Sequence, residues 1–300
     1  MRRLTAVAVG LILAACLAPE APVNVEESNY LNYSQRDDKW TGGVKVIPVE
    51  TELGTFNVWT KRVGNNPDLK VLLLHGGPGA TYEYFESADS YFPNAEVEYY
   101  YYDQLGSGNS DSPEDERLWD PERFVDEVEQ VRIALGLDAS NFVLLGHSWG
   151  GMLGMEYALK YQENLKGLVI SNMVASAPEY MKYAQEVLGP QLPVEVLEEP
   201  QAFEAAGDYT NPRYLGPSEF GMVGYATLKN WDKTADLYRI EVPTLSIGAQ
   251  YDTMDPEAMR AIADSVQNGT FLYCPEGDHM TMYDDADTYY NGIIDFLGTL

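Results

Sequence analysis

Leu144-Leu145-Gly146-His147-Ser148-Trp149-Gly150-Gly151 decides how this chain is read. An apolar run, Phe142 to Leu145, leads into a G-x-S-x-G turn. A helix-like run follows, with Met152, Leu153, Met155, Tyr157, Ala158 and Leu159. A serine at such a strand-to-helix turn is held in a strained backbone conformation that lifts its hydroxyl clear of the chain. Glycines at 146 and 150 fit, because strand and helix come too close there for a side chain. The helix behind the serine turns its N–H groups and a partial positive charge towards a developing oxyanion. Ser148 is therefore expected to be a nucleophile, and the rest of the chain is asked for its partners.

A serine nucleophile needs a base to take its proton and an acid to orient that base. For a serine on this turn the chain order is Ser, then Asp or Glu, then His. Of three histidines, His75 and His147 precede Ser148, which leaves His279. His279 follows the apolar run Thr270 to Tyr273, as a base in the loop after a last strand should. Asp252 closes the run Pro243 to Ile247 and is the acid expected to orient it; Asp255 and Asp278 are the alternatives. Upstream, the continuous apolar run Leu69 to Leu74 predicts a buried parallel strand. It ends in His75-Gly76-Gly77-Pro78-Gly79. That loop is where the second oxyanion donor belongs, so the Gly77 N–H is paired with that of Trp149. His75 reads as an organiser of this loop. Asp103 precedes the nucleophile and reads as a support for the glycine turn that follows it.

The totals agree with a globular enzyme. The 300 residues are 45% hydrophobic and 12% aromatic, with a formal charge of −28. Length and apolar content suit one large α/β domain with an insertion. The charge argues against nucleic acid, which needs clustered Lys and Arg, and against docking on anionic lipid. Two cysteines, Cys16 and Cys274, cannot build a disulfide framework; Cys274 reads as a small buried hydrophobe.

From the N-terminus, residues 1–15 read as a signal peptide: Arg2 and Arg3, then a mostly apolar stretch too short to span a bilayer. Leu13-Ala14-Ala15-Cys16 resembles a bacterial lipobox. That resemblance implies a lipidated Cys16, export across the inner membrane, and an anchored protein facing the periplasm or the cell surface. Polar residues 16–43 read as a tether. Residues 44–172 and 230–300 form two parts of one core. They begin with strands over Val44 to Val49 and Thr55 to Val63, continue with a strand over Glu98 to Tyr102, and include helices over Pro121 to Leu135 and Pro256 to Ser265. Between them, residues 173–229 break the β-α rhythm with recurring prolines. They read as a small, mainly helical cap, with a helical piece over Glu179 to Leu188, above the strand ends where open α/β sheets bind ligands.

With these residues in view, the chain resembles the proline iminopeptidase family of α/β hydrolases, and its tricorn-interacting aminopeptidase members most. The matching pieces are His75-Gly-Gly-Pro-Gly79, Tyr102-Asp-Gln-Leu-Gly-Ser-Gly-Asn-Ser110, Gly146-His-Ser-Trp-Gly150, Gly216-Pro-Ser-Glu-Phe220, Trp231-Asp232, Tyr251-Asp252 and His279-Met-Thr-Met282. The resemblance implies an α/β-hydrolase fold with a mostly parallel sheet. It implies removal of an N-terminal residue, often proline, from short peptides or amino-acid amides, without metal or cofactor. It also implies two acids around the substrate's α-amine, a cation best held by carboxylates in a closed pocket. The cap acid corresponds to Glu219. The second position corresponds to Gln250, which is neutral, and this departure leaves an esterase or lactonase on the same scaffold as the alternative.

Overall fold

The computed structural model describes residues 29–191, 228 and 230–300. Eight strands form one sheet: β1 (Val44–Thr51), β2 (Gly54–Val63), β3 (Lys70–Leu74), β4 (Glu98–Asp103), β5 (Phe142–His147), β6 (Gly167–Ser171), β7 (Thr244–Ala249) and β8 (Gly269–Cys274). Their spatial order is β1-β2-β4-β3-β5-β6-β7-β8. The β1–β2 hairpin and the β2–β4 pair are antiparallel; every pair from β4 to β8 is parallel. The mostly parallel sheet that the resemblance implies is present, and β4, β5, β6 and β7 are buried along their whole length.

Helices cover both faces, which is why the central strands read as unbroken apolar runs. On one face lie α1 (Pro121–Leu135), α2 (Trp149–Tyr161) and α4 (Pro256–Ser265), packing Phe124, Val128, Leu153 and Met259. On the other lie α6 (Ala286–Leu297) and a 3-10 stretch, Tyr82–Ser90, packing Phe85, Tyr289 and Ile293. The tyrosines of β4 alternate between these two cores, Tyr100 and Tyr102 to the first, Tyr99 and Tyr101 to the second. Buried tyrosine needs a partner for its hydroxyl. Asp89 accepts from Tyr99 and Tyr101 (2.5 and 2.6 Å), Glu98 from Tyr100 (2.5 Å) and Glu127 from Tyr102. Glu98 and Glu127 are themselves buried, so part of the chain's acid excess lies inside the fold, beside the hydroxyls of Tyr100 and Tyr102.

Two expectations need correction. Of the tether 16–43, residues 16–28 lie outside the described residues, but residues 29–43 are packed on the body. The Tyr30 hydroxyl donates to Val97 O (3.0 Å). Arg36 donates from both terminal nitrogens to Glu98 (3.0 and 3.2 Å), and Arg62 grips Asp38 through Nε and Nη2 (2.8 and 2.6 Å). Polar composition suggested a solvated strand of chain; in the fold Arg36 and Asp38 find charged partners on the body. The helical piece Glu179 to Leu188 is also divided. The helix proper, α3 (Ala177–Tyr183), opens on a cap in which Ser176 Oγ accepts from Glu179 N, and a single π-turn over Ala184–Leu188 follows. The remainder of the proposed cap, 192–227 and 229, lies outside the described residues.

Candidate active site

The strand order gathers six loops at the C-terminal ends of β3 to β8. Ser148 sits between β5 and α2 with φ 56 and ψ −125, a left-handed conformation that L side chains rarely adopt. Such strain costs roughly 1–3 kcal/mol and persists only where the surroundings enforce it. Here they do. A Cβ on Gly146 would lie 2.0 Å from Gly150 O, and one on Gly150 would lie 2.1 Å from Leu74 O. Strand, helix and neighbouring strand are packed so tightly that only glycine fits at either position.

His279, in the loop between β8 and the short helix α5 (Thr281–Asp284), reaches both partners. Its Nε2 lies 3.0 Å from Ser148 Oγ and its Nδ1 3.0 Å from Asp252 Oδ1. Asp252 follows β7 and is 3% exposed. A carboxylate oxygen can only accept, so Nδ1 carries the proton and Nε2 presents a lone pair to the serine. Burial works against the imidazolium, but the charge and hydrogen bond of Asp252, with Asp278 beyond, outweigh it and raise the His279 pKa. The alternative acids are engaged elsewhere. Asp255 caps α4 by accepting from Glu257 N (2.9 Å), and Asp278 accepts from Met280 N (2.6 Å).

The loop after β3 presses on Ser148, since a Cβ on Gly76 would lie 2.8 Å from that of Ser148. Gly76 N donates to the Tyr84 hydroxyl. Gly77 has φ +106, and a Cβ there would meet Ala80 N at 2.7 Å. Gln104 ties this loop to the elbow: its backbone N donates to His75 Nε2 (3.0 Å), its side chain donates to His75 O (2.8 Å), and its Oε1 accepts from Trp149 Nε1 (3.0 Å). His75 therefore carries its proton on Nδ1, directed at Gly76 O (3.0 Å), and burial lowers its pKa. Asp103 accepts from Tyr82 N and from the backbone and side chain of Asn109, and so holds the turn that follows it.

An apolar pocket opens beside the serine. Gly77, Trp149, Met152, Met173, Tyr180 and Trp231 line it. Gln250 is exposed and accepts from the Tyr273 hydroxyl. Glu219 and Cys16 lie outside the described residues. Three side chains were missed in the sequence. Tyr84 and Gln104 sit in or beside the glycine loops, and their roles rest on contacts that their neighbours in the chain do not announce. Asn172, at the end of β6, donates to Asp252 Oδ2 (2.8 Å) from 80 positions away in the chain.

Taken together, the elbow, the order of the triad and the sheet match a known family of enzymes. Residues 70–207 match the family model described as alpha/beta hydrolase fold. A proline iminopeptidase of Elizabethkingia meningoseptica is 50% identical over 290 residues, covering 84% of this chain and 97% of its own. One of Flavobacterium johnsoniae is 48% identical with the same coverage. Among solved structures, the proline iminopeptidase of Mycobacterium smegmatis superposes with a TM-score of 0.72 at 26% identity, over 85% of this chain and 98% of its own. With about half of the aligned residues identical across nearly the whole of such relatives, the chain belongs to the proline iminopeptidase family of α/β hydrolases.

Proposed function

We propose that this protein is a serine aminopeptidase that releases an N-terminal residue, proline or another small apolar one, from short peptides and amides. The observation that carries the reading is the relay at 3.0 Å from Ser148 to His279 and 3.0 Å on to Asp252, opening beside an apolar pocket. In that pocket a pyrrolidine ring would replace water against Trp149, Met152 and Trp231. Ser148 Oγ attacks the carbonyl carbon while its proton passes to His279 Nε2. The oxyanion is held by the N–H groups of Gly77 and Trp149. His279 returns the proton to the leaving amine, and a water activated by the same imidazole releases the acyl group. Asp252 stabilises the transient imidazolium. Glu219 is the carboxylate proposed to hold the substrate's ammonium, within the field of a strongly acidic protein.

Proline p-nitroanilide should be turned over, and its N-acetyl counterpart should not. Equal rates on the two would remove the amine-binding role. The second reading, an esterase or lactonase, is favoured by Gln250, which is neutral and already engaged by Tyr273. Activity on acyl esters with none on free-amine amides would select it. We further propose that Cys16 is lipidated. This rests on the lipobox-like Leu13 to Cys16 behind a basic and apolar leader. Labelled palmitate should enter the wild type and not Cys16→Ala; equal incorporation would end the anchoring claim.

A further inference from the structure

We infer that the dipeptide Ser171-Asn172, where β6 ends, is the positioning hub of the triad: it ties the loops of the nucleophile, the acid and the base to one another. The inference rests on the triad reading above. Each tie is visible. The Ser148 backbone N–H donates to Ser171 O (2.9 Å), which holds the elbow. Asn172 Nδ2 donates to Asp252 Oδ2 (2.8 Å), and it also lies 3.1 Å from Asp278 O and 3.1 Å from Thr281 Oγ1, on either side of the base. One buried amide therefore spans the acid loop and the histidine loop. It is the donor on the carboxylate oxygen turned away from the imidazole; the other oxygen takes His279 Nδ1 and Met254 N.

The orientation of that amide is forced. An ionised carboxylate and a backbone carbonyl only accept, so the NH2 group must face Asp252 and Asp278. The Asn172 oxygen then accepts from Ser171 Oγ (3.0 Å). A hydroxyl has one proton, and Ser171 has placed it there. Its lone pairs must take the Tyr289 hydroxyl (3.1 Å) and His147 Nδ1 (3.1 Å), so both of those groups donate. Ser171, Asn172 and Tyr289 are all fully buried. Asn172 also has φ +50, a conformation asparagine tolerates better than most residues, while its N–H continues the ladder to Ile247 O (3.0 Å). The left-handed turn leaves Asn172 in a bonded position between the two loops. An error of about 1 Å in such a relay is enough to cost about a hundredfold in rate.

The test compares the full chain with Asn172→Gly, which keeps the left-handed backbone and removes the amide, Ser171→Ala, which removes the hydroxyl that holds the amide oxygen, and Ser148→Ala. Steady-state kinetics on proline p-nitroanilide and the downfield proton resonance of the His279–Asp252 hydrogen bond are read on each. For Asn172→Gly, kcat should fall about tenfold or more while KM stays within about twofold, and the resonance should shift or broaden. Ser171→Ala should move both readouts in the same direction by less. Asn172→Gly with kcat within about twofold of the parent, or with a lowered kcat and an unmoved resonance, overturns the hub. If Asn172→Gly does not fold, Ser171→Ala decides by the same two readouts. An active Ser148→Ala would instead remove the triad itself, so the two failures are told apart.

Discussion

Asp252→Asn separates the charge of the orienting acid from its geometry, and the structure indicates which of the two is lost. An asparagine must place an NH2 group where one carboxylate oxygen now accepts. At the Oδ1 position it would oppose two donors, His279 Nδ1–H and Met254 N–H, at 3.0 and 3.1 Å. At the Oδ2 position it would oppose one, Asn172 Nδ2. The second placement is the less costly, and it leaves an oxygen facing His279. The imidazole then keeps its proton on Nδ1 and remains able to accept from Ser148. What disappears is the negative charge. An opposite charge at this range shifts a pKa by about 1–3 units, at about 1.36 kcal/mol per unit. The expected loss in kcat is thus about tenfold to a thousandfold, short of the ~10⁴-fold that follows when the wrong tautomer is imposed. The acid limb of the pH profile should also move. Asp252 raises the His279 pKa, so wild-type activity should climb through a value above the ordinary ~6.5. In the variant the climb should fall to lower pH. The assay is hydrolysis of proline p-nitroanilide from about pH 5 to 9. A loss below about threefold, or an acid limb that stays in place, would refute the assignment of Asp252 as a charged partner.

Other variants test the parts that hold this relay. Gly150→Ala brings a Cβ within 2.1 Å of Leu74 O and 2.9 Å of His75 O; it should cost at least about 1–3 kcal/mol in denaturant unfolding and displace the oxyanion loop enough to lower kcat, and a fully active, equally stable variant would contradict the packing. Asp38→Ala leaves Arg62, 3% exposed, without its carboxylate and should destabilise by about 3–5 kcal/mol. Burial alone would raise the Asp38 pKa, but Arg62 outweighs it and holds the value below the ordinary range. The stability this pair supplies is therefore full above about pH 3.9 and lost as pH falls through the lower folded value, so wild type and variant should converge in acid; a gap that persists there would count against the ion pair.

Local chemistry made much of the fold legible. The helices Pro121–Leu135 and Pro256–Ser265 begin on a proline at the first helical position, where its missing N–H costs nothing. The first ends on Gly136 at φ 66. The elbow declared its strand and helix through two glycines, and chain order alone left one histidine for the base. What stayed hidden depends on contacts between residues far apart. Nothing near Asn172 in sequence announces a carboxylate 80 residues away, and nothing near Arg36 or Asp38 announces Glu98 or Arg62. Residues 29–43 looked like a tether because their polarity was visible and their partners were not. The 3-10 stretch Tyr82–Ser90 was silent for another reason: three residues per turn has a different apolar rhythm from the α-helical one.

The most direct measurement is covalent labelling of the full chain with a fluorophosphonate, followed by peptide mass mapping and assay of proline p-nitroanilide hydrolysis on the same sample. The account predicts one adduct, on Ser148, forming in step with the loss of activity. An adduct on another residue, or activity that survives complete labelling of Ser148, would contradict it.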